Sequence, residues 1–128
     1  MYLPAPAAVR PSDAARELHI WLWLDDRALT RALRAHLLRL GFRHAEPYAP
    51  ADAAPGDVVI ATPQALAPAG CAELRRRGLR VVVLCPVVRG PEREAYERAG
   101  ADEVVPMTVE GAELCAALDR IASRCNAA

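Results

Sequence analysis

The chain contains no lysine: all 16 basic residues among its 128 are arginine. That removes Schiff-base chemistry, a phosphate-gripping lysine and a lysine general base at once. Aromatic residues are scarce, with two tryptophans, three tyrosines and one phenylalanine. Arginine is balanced by 16 acids to a formal net charge of zero, so no bulk field pulls the chain toward nucleic acid or anionic lipid. No run approaches the roughly 20 apolar residues that span a bilayer. The start, Met1 to Arg16, lacks the basic segment and long apolar stretch of a secretion signal. Cys71, Cys85, Cys115 and Cys125 form no Cys-x-x-Cys pair and have no close histidine, so no metal is expected. They read as reduced thiols of a cytoplasmic protein. The seven glycines are scattered at element ends with no phosphate cradle, so no cofactor is expected either.

What is present fits a single domain. Hydrophobic residues make up 53% and charged residues 25%, enough to build a core at this length. Residues 1–17, with Pro4, Pro6 and Pro11, read as a flexible Ala/Pro-rich leader before a domain at 18–128. His19 to Leu24 (HIWLWL) is a buried strand ending in the pair Asp25–Asp26. Arg27 to Leu40 is a helix, with Leu29, Leu33, Leu37 and Leu40 on one side and Arg27, Arg31, Arg34 and Arg39 on the wet side. Asp26 caps its start and Gly41 its end. Phe42 to Ala49 is a weak strand, and residues 50–56 leave little room for a helix. Strands follow at Asp57 to Ala61, Arg80 to Leu84 and Ala101 to Val105. Helices alternate with them at Ala69 to Arg77, Pro91 to Ala99 and Val109 to Arg124. Short apolar strands alternating with amphipathic helices imply an open parallel sheet covered on both faces.

Several segments, in order, resemble the receiver domain of bacterial response regulators: HIWLWLDD, LLRLGF, DVVIATP, VVVLCP and EAYERAGADEVVPMT, followed by an amphipathic helix. The piece around Ala99-Gly100-Ala101-Asp102 is the most specific. The resemblance implies a flavodoxin-like doubly wound sheet of five parallel strands in order 2-1-3-4-5, with the second helix missing or reduced. It places the site at the carboxyl ends of the strands. Such a domain needs two acids after strand one to hold magnesium, and an aspartate to accept phosphate after strand three. A hydroxyl must follow strand four and a lysine strand five. Here Asp25 and Asp26 match the acids, but Thr62, Cys85 and Met107 stand at the other three positions. The usual lysine-proline pair becomes Met107-Thr108, which removes the expectation of a cis-proline turn. The shortened stretches on either side of Thr62 are similar to the pseudo-receivers heading amidase-operon (ANTAR-type) antitermination regulators. Those dock on a ligand-sensing partner and are not phosphorylated.

The resemblance therefore implies an unphosphorylated regulatory module rather than an enzyme. Its expected partner is another regulatory protein or a second copy, with no nucleic acid and no membrane. The alternative is a small α/β ligand-binding domain or enzyme using Asp25, Thr62 and Cys85. No Cys–His dyad supports a nucleophile, and Cys85 reads as a buried apolar thiol. Two surfaces are candidates for docking. Trp21 and Trp23 share one side of the first strand, filling the core or leaving an apolar groove where helix cover is thin. Arg93, Tyr96, Glu97, Arg120 and Arg124 match the surface receivers use for partners, with packing against the sheet edge an equal reading for Tyr96. The run Arg75-Arg76-Arg77 reads as a solvated helix end.

Overall fold

The computed structural model describes residues 10–108 and 111–126. Helix α1 (Asp13–Arg16) precedes β1 (His19–Trp23), α2 (Arg27–Arg39), β2 (His44–Pro47) and β3 (Val58–Ala61). Then come α3 (Pro68–Arg76), β4 (Arg80–Cys85), α4 (Gly90–Arg98), β5 (Glu103–Pro106) and α5 (Ala112–Asn126). The strands form one parallel sheet in the order β2-β1-β3-β4-β5. No helix lies between β2 and β3, where the chain makes two turns instead. Among the described residues, no helix is long and apolar enough to cross a membrane.

Alternation along the strands sorts side chains onto two faces. Ile20, Leu22, Ala45, Val58, Ile60, Val82, Leu84 and Val105 meet Leu37 of α2 and Leu114, Leu118 and Ile121 of α5. Val59, Ala61, Val81, Val83, Cys85 and Val104 face the other way, onto Cys71 and Leu74 of α3 and Tyr96 of α4. β3 and β4 are buried on both faces, which is why they read as unbroken apolar runs.

The helix ends follow backbone chemistry. Asp26 accepts the N–H groups of Ala28 (2.7 Å) and Leu29 (3.1 Å), and Gly41 leaves α2 at φ +102°. Gly100, at φ +100°, is needed twice over: a Cβ there would also lie 3.2 Å from Arg75 Cγ. Arg75 runs past it to Asp102, whose side chain is only 8% exposed and accepts from Val81 N–H (2.8 Å) and Arg75 (3.3 Å), with Arg80 at 3.6 Å. The most specific piece of sequence is thus a joint that ties α3, β4 and the start of β5 together.

Two expectations need correction. The leader assigned to residues 1–17 is not one unit: residues 1–9 lie outside the described residues, but the chain is folded from Ser12. Ser12 Oγ caps α1 by accepting from Ala15 N–H (3.1 Å), and Ser12 N–H donates to Asp119 of α5 (2.9 Å). Ala15 is wholly buried beneath them. An Ala/Pro composition concealed one turn whose single methyl group seals the core. The arginine run is also no bare helix end. Arg75 joins Asp102, Arg76 pairs with Glu73, and Arg77 donates to Tyr48 Oη (3.1 Å) and the Pro50 carbonyl (2.9 Å). The last helix begins at Ala112; residues 109 and 110, placed in it from sequence, lie outside the described residues.

Candidate functional site

The carboxyl ends of β1, β3, β4 and β5 bring the predicted rim residues near one another, but their side chains part company. Thr62 extends β3, its N–H donating to the Trp23 carbonyl (3.4 Å), and its own carbonyl accepts from Ala65 and Leu66 (3.0 Å each). Only its hydroxyl remains, and that donates to Asp25 Oδ1 at 3.0 Å. Thr62 is 2% exposed whereas Asp25 is exposed, so the pair plugs the rim from outside. Asp26 spends its Oδ1 on the α2 cap. The acidic pair is divided between two structural duties, and the described residues hold no cluster of three metal-ligating side chains.

Cys85 turns toward α4 and joins the core against α3 and α4. Burial, chiefly, and then the hydrogen-bonding Glu92 carboxylate push its thiol up from 9.0 to about 11. A thiol so raised is protonated at neutral pH and is a poor nucleophile. Met107 turns to the opposite face and packs against the core under α2 and α5. It lines a cavity of about 150 Å³ with Leu33, Leu84 and Leu114. Its N–H continues the sheet by donating to the Cys85 carbonyl (2.6 Å), and no cis peptide bond occurs among the described residues. Asp25 and Thr62 therefore meet; Cys85 and Met107 diverge to separate cores.

The surface candidates also divide. Tyr96 is no part of the exposed surface and takes the packed one of its two readings: at 3% exposure it belongs to the core, with its hydroxyl donating to the Leu66 carbonyl at 2.6 Å. Arg93 and Glu97 are exposed on α4, and Arg93 donates to the Val104 carbonyl (3.3 Å). Arg120 and Arg124 both reach Glu103 (2.7 Å each), whose side chain is 12% exposed. Burial raises the Glu103 carboxyl, but hydrogen bonds and charge from the two arginines outweigh it and hold the group below its ordinary range. Trp21 and Trp23 are half-buried. Trp21 Nε1–H donates to Asp57 Oδ2 (3.0 Å), and Trp23 stacks on Tyr48 with ring centres 5.0 Å apart. The sequence does not mark Tyr48 or Asp57 as members of a surface, and it marks Arg77 only as part of a solvated helix end. Their nearest signal was two indoles beside a stretch too short for a helix.

No family profile matches this sequence, and no curated protein does. Solved structures do resemble it in shape. A protein from Burkholderia pseudomallei described as pilus assembly-related superposes with a TM-score of 0.70 at 17% identity, covering 86% of this chain and 92% of that one. A DNA-binding response regulator of the LuxR family from Staphylococcus aureus gives 0.63 at 17% identity, covering 82% and 98%. A response regulator receiver protein from Pseudoalteromonas atlantica gives 0.62 at 18%, covering 83% and 98%. At such identities the likeness speaks for architecture: this chain has the flavodoxin-like fold of receiver domains.

Proposed function

We propose that this domain is a pseudo-receiver: a regulatory module of bacterial signalling or transcription control that binds another protein, or itself, without being phosphorylated. The observation that carries the reading is Thr62, which stands at the acceptor position with its hydroxyl already donated to Asp25. Three further features support it. The chain has no lysine to hold a phosphoryl group, Met107 packs against the core under α2 and α5, and Asp26 Oδ1 is committed to a helix cap. Magnesium demands several oxygens in near-octahedral array, and Asp25 alone is a poor start. The enzymatic alternative through Asp25, Thr62 and Cys85 loses its nucleophile to burial of the thiol. The face formed by α4, β5 and α5 offers exposed Arg93, Glu97, Arg120 and Arg124 for docking, and the half-buried Trp21 and Trp23 mark a second, smaller surface.

The test is incubation with acetyl phosphate and magnesium, read by intact-mass spectrometry. The expected spectrum is unchanged; a stable gain of one phosphate would sink the reading. Light scattering then separates self-association from a foreign partner. Similarity to the pilus assembly-related protein makes the proteins of such an apparatus the first candidates for capture.

A further inference from the structure

A groove of about 620 Å³ lies at one corner of the sheet, between the N-terminal half of α2 and the end of β2. Its floor is carbon: Leu22, Trp23, Leu24, Pro47, Tyr48 and Pro50. Its wall is the α2 face bearing Arg27, Thr30, Arg31 and Arg34. Thr30 donates its hydroxyl to the Asp26 carbonyl (2.8 Å), and Arg34 is engaged with the Ala45 carbonyl (2.8 Å) and Glu46 (3.3 Å). Arg27 and Arg31 are different. They are exposed, one helical turn apart, and their guanidinium groups enter no hydrogen bond or ion pair among the described residues.

Arg27 opens α2, at the end where a helix least favours a cation, and Arg31 stands one turn further in. The N-terminal end of a helix carries partial positive charge, which rewards acids and penalises arginine. The first turn of α2 has no acidic residue, and the positive end is answered by the Asp26 carboxylate at the cap. Two unpaired guanidiniums above an apolar floor resemble a binding wall more than a folding device.

We propose that this groove binds a small organic anion: a flat apolar body of one or two rings carrying a single carboxylate or phosphate. The volume is that of an ordinary small-molecule site. The guanidiniums are the only uncommitted polar side-chain groups named on the wall, so they select a forked anionic head. The floor is poorly suited to read sugar hydroxyls or a nucleobase edge, because its side chains are leucine, proline, Trp23 and Tyr48, and the Tyr48 hydroxyl is engaged by Arg77. The groove's chemistry does not depend on which protein docks elsewhere. Leu24 of its floor is followed in the chain by Asp25, so the groove lies at the same end of the sheet as the rim.

The probes are 2-naphthoate, 2-naphthyl phosphate and the neutral 2-naphthamide, titrated into the full chain and followed by amide NMR shifts. At least one of the two anions should bind saturably, with Kd below about 1 mM, and shift Leu24, Thr30 and Tyr48. The amide should bind about tenfold more weakly, since it lacks a charge-assisted contact. Which anion binds more tightly identifies the head group. The R27E/R31E variant should lose the preference for anion over amide, and R31Q should weaken it, while the thermal midpoint is kept or raised. Equal binding of acid and amide, shifts centred elsewhere, or an unchanged R27E/R31E variant would overturn the proposal, as would no saturable binding by either anion.

Discussion

The two faces of the sheet solve one problem with different materials. Under α2 and α5 the cover is helical, and the core beneath is aliphatic and closed: Leu37, Leu118 and Ile121 are essentially unexposed. On the opposite face, α3 and α4 cover only β3, β4 and β5, because no helix follows β2. Side chains take that place. Trp21 and Trp23 lie over the sheet, Tyr48 stacks on Trp23, and Arg77 reaches from the end of α3 to bind Tyr48 and Pro50. Asp57 fastens this layer by accepting both Trp21 Nε1–H and Ala54 N–H (2.9 Å). Three aromatic rings thus do the work of a helix in a chain that has only six. The substitute is thinner: both indoles stay half-exposed where the helix-covered strands are sealed.

That contrast gives the largest predicted effects. Leu37→Ala opens a void in a closed aliphatic core and should cost about 3 kcal/mol. Trp23→Ala removes a larger side chain but from a half-open layer, and should cost about 2 kcal/mol. Because Trp23 and Tyr48 share one stack, the double variant W23A/Y48A should fall about 1 kcal/mol short of additivity. Urea unfolding of wild type, L37A, W23A, Y48A and W23A/Y48A measures all of this. Were Trp23→Ala as mild as a surface change, under about 0.5 kcal/mol, the aromatic layer would not be the helix's replacement.

How far the sequence revealed this molecule follows from the range of the forces involved. Strands such as VVVLC and helices closed by Gly41, Gly78 and Gly100 are local: an apolar run or a positive-φ residue declares itself without its neighbours. Strand order came from likeness to receivers, not from the residues. At the rim, Asp25 and Thr62 were both visible as types at positions, but their hydrogen bond joins residues 37 apart and exists only once β1 and β3 are paired. The same holds for Tyr96, which the likeness to receivers puts on the partner surface while packing against the sheet stays an equal reading. Its hydroxyl finds a carbonyl 30 residues away. The groove was hidden differently. Arg27, Arg31 and Arg34 looked like an ordinary wet side, and only the folded corner shows that two of them face carbon with no partner.

The two sheet edges offer a finer comparison. Each is shielded by an arginine donated from a neighbouring helix: Arg34 to the Ala45 carbonyl of β2 (2.8 Å), and Arg93 to the Val104 carbonyl of β5 (3.3 Å). β5 has additional protection, because Glu103 draws Arg120 and Arg124 of α5 across it. Glu103→Gln should therefore cost about 1 kcal/mol at neutral pH. Since the folded carboxyl lies below its ordinary range, that contribution is present above the unfolded pKa and fades as pH falls through the folded one. Urea midpoints of wild type and variant should converge on acidification, and a constant gap would refute the ionic account.

The smallest effect expected concerns the edges themselves. β2 is an open edge strand that relies on Arg34 and on Pro47, which has no N–H to offer an incoming strand. Arg34→Ala removes a short bond to a strand carbonyl and should cost about 0.7 kcal/mol, whereas Arg93→Ala, losing a longer bond, should cost about 0.3 kcal/mol. The more telling readout is association. An uncovered edge carbonyl invites pairing with another chain, so Arg34→Ala should show a steeper rise in light scattering with concentration than Arg93→Ala, whose edge still keeps the Glu103 pairs. Equal association in the two variants would mean that α5 arginines add nothing to the protection of β5. The two edges would then differ in sequence but not in kind.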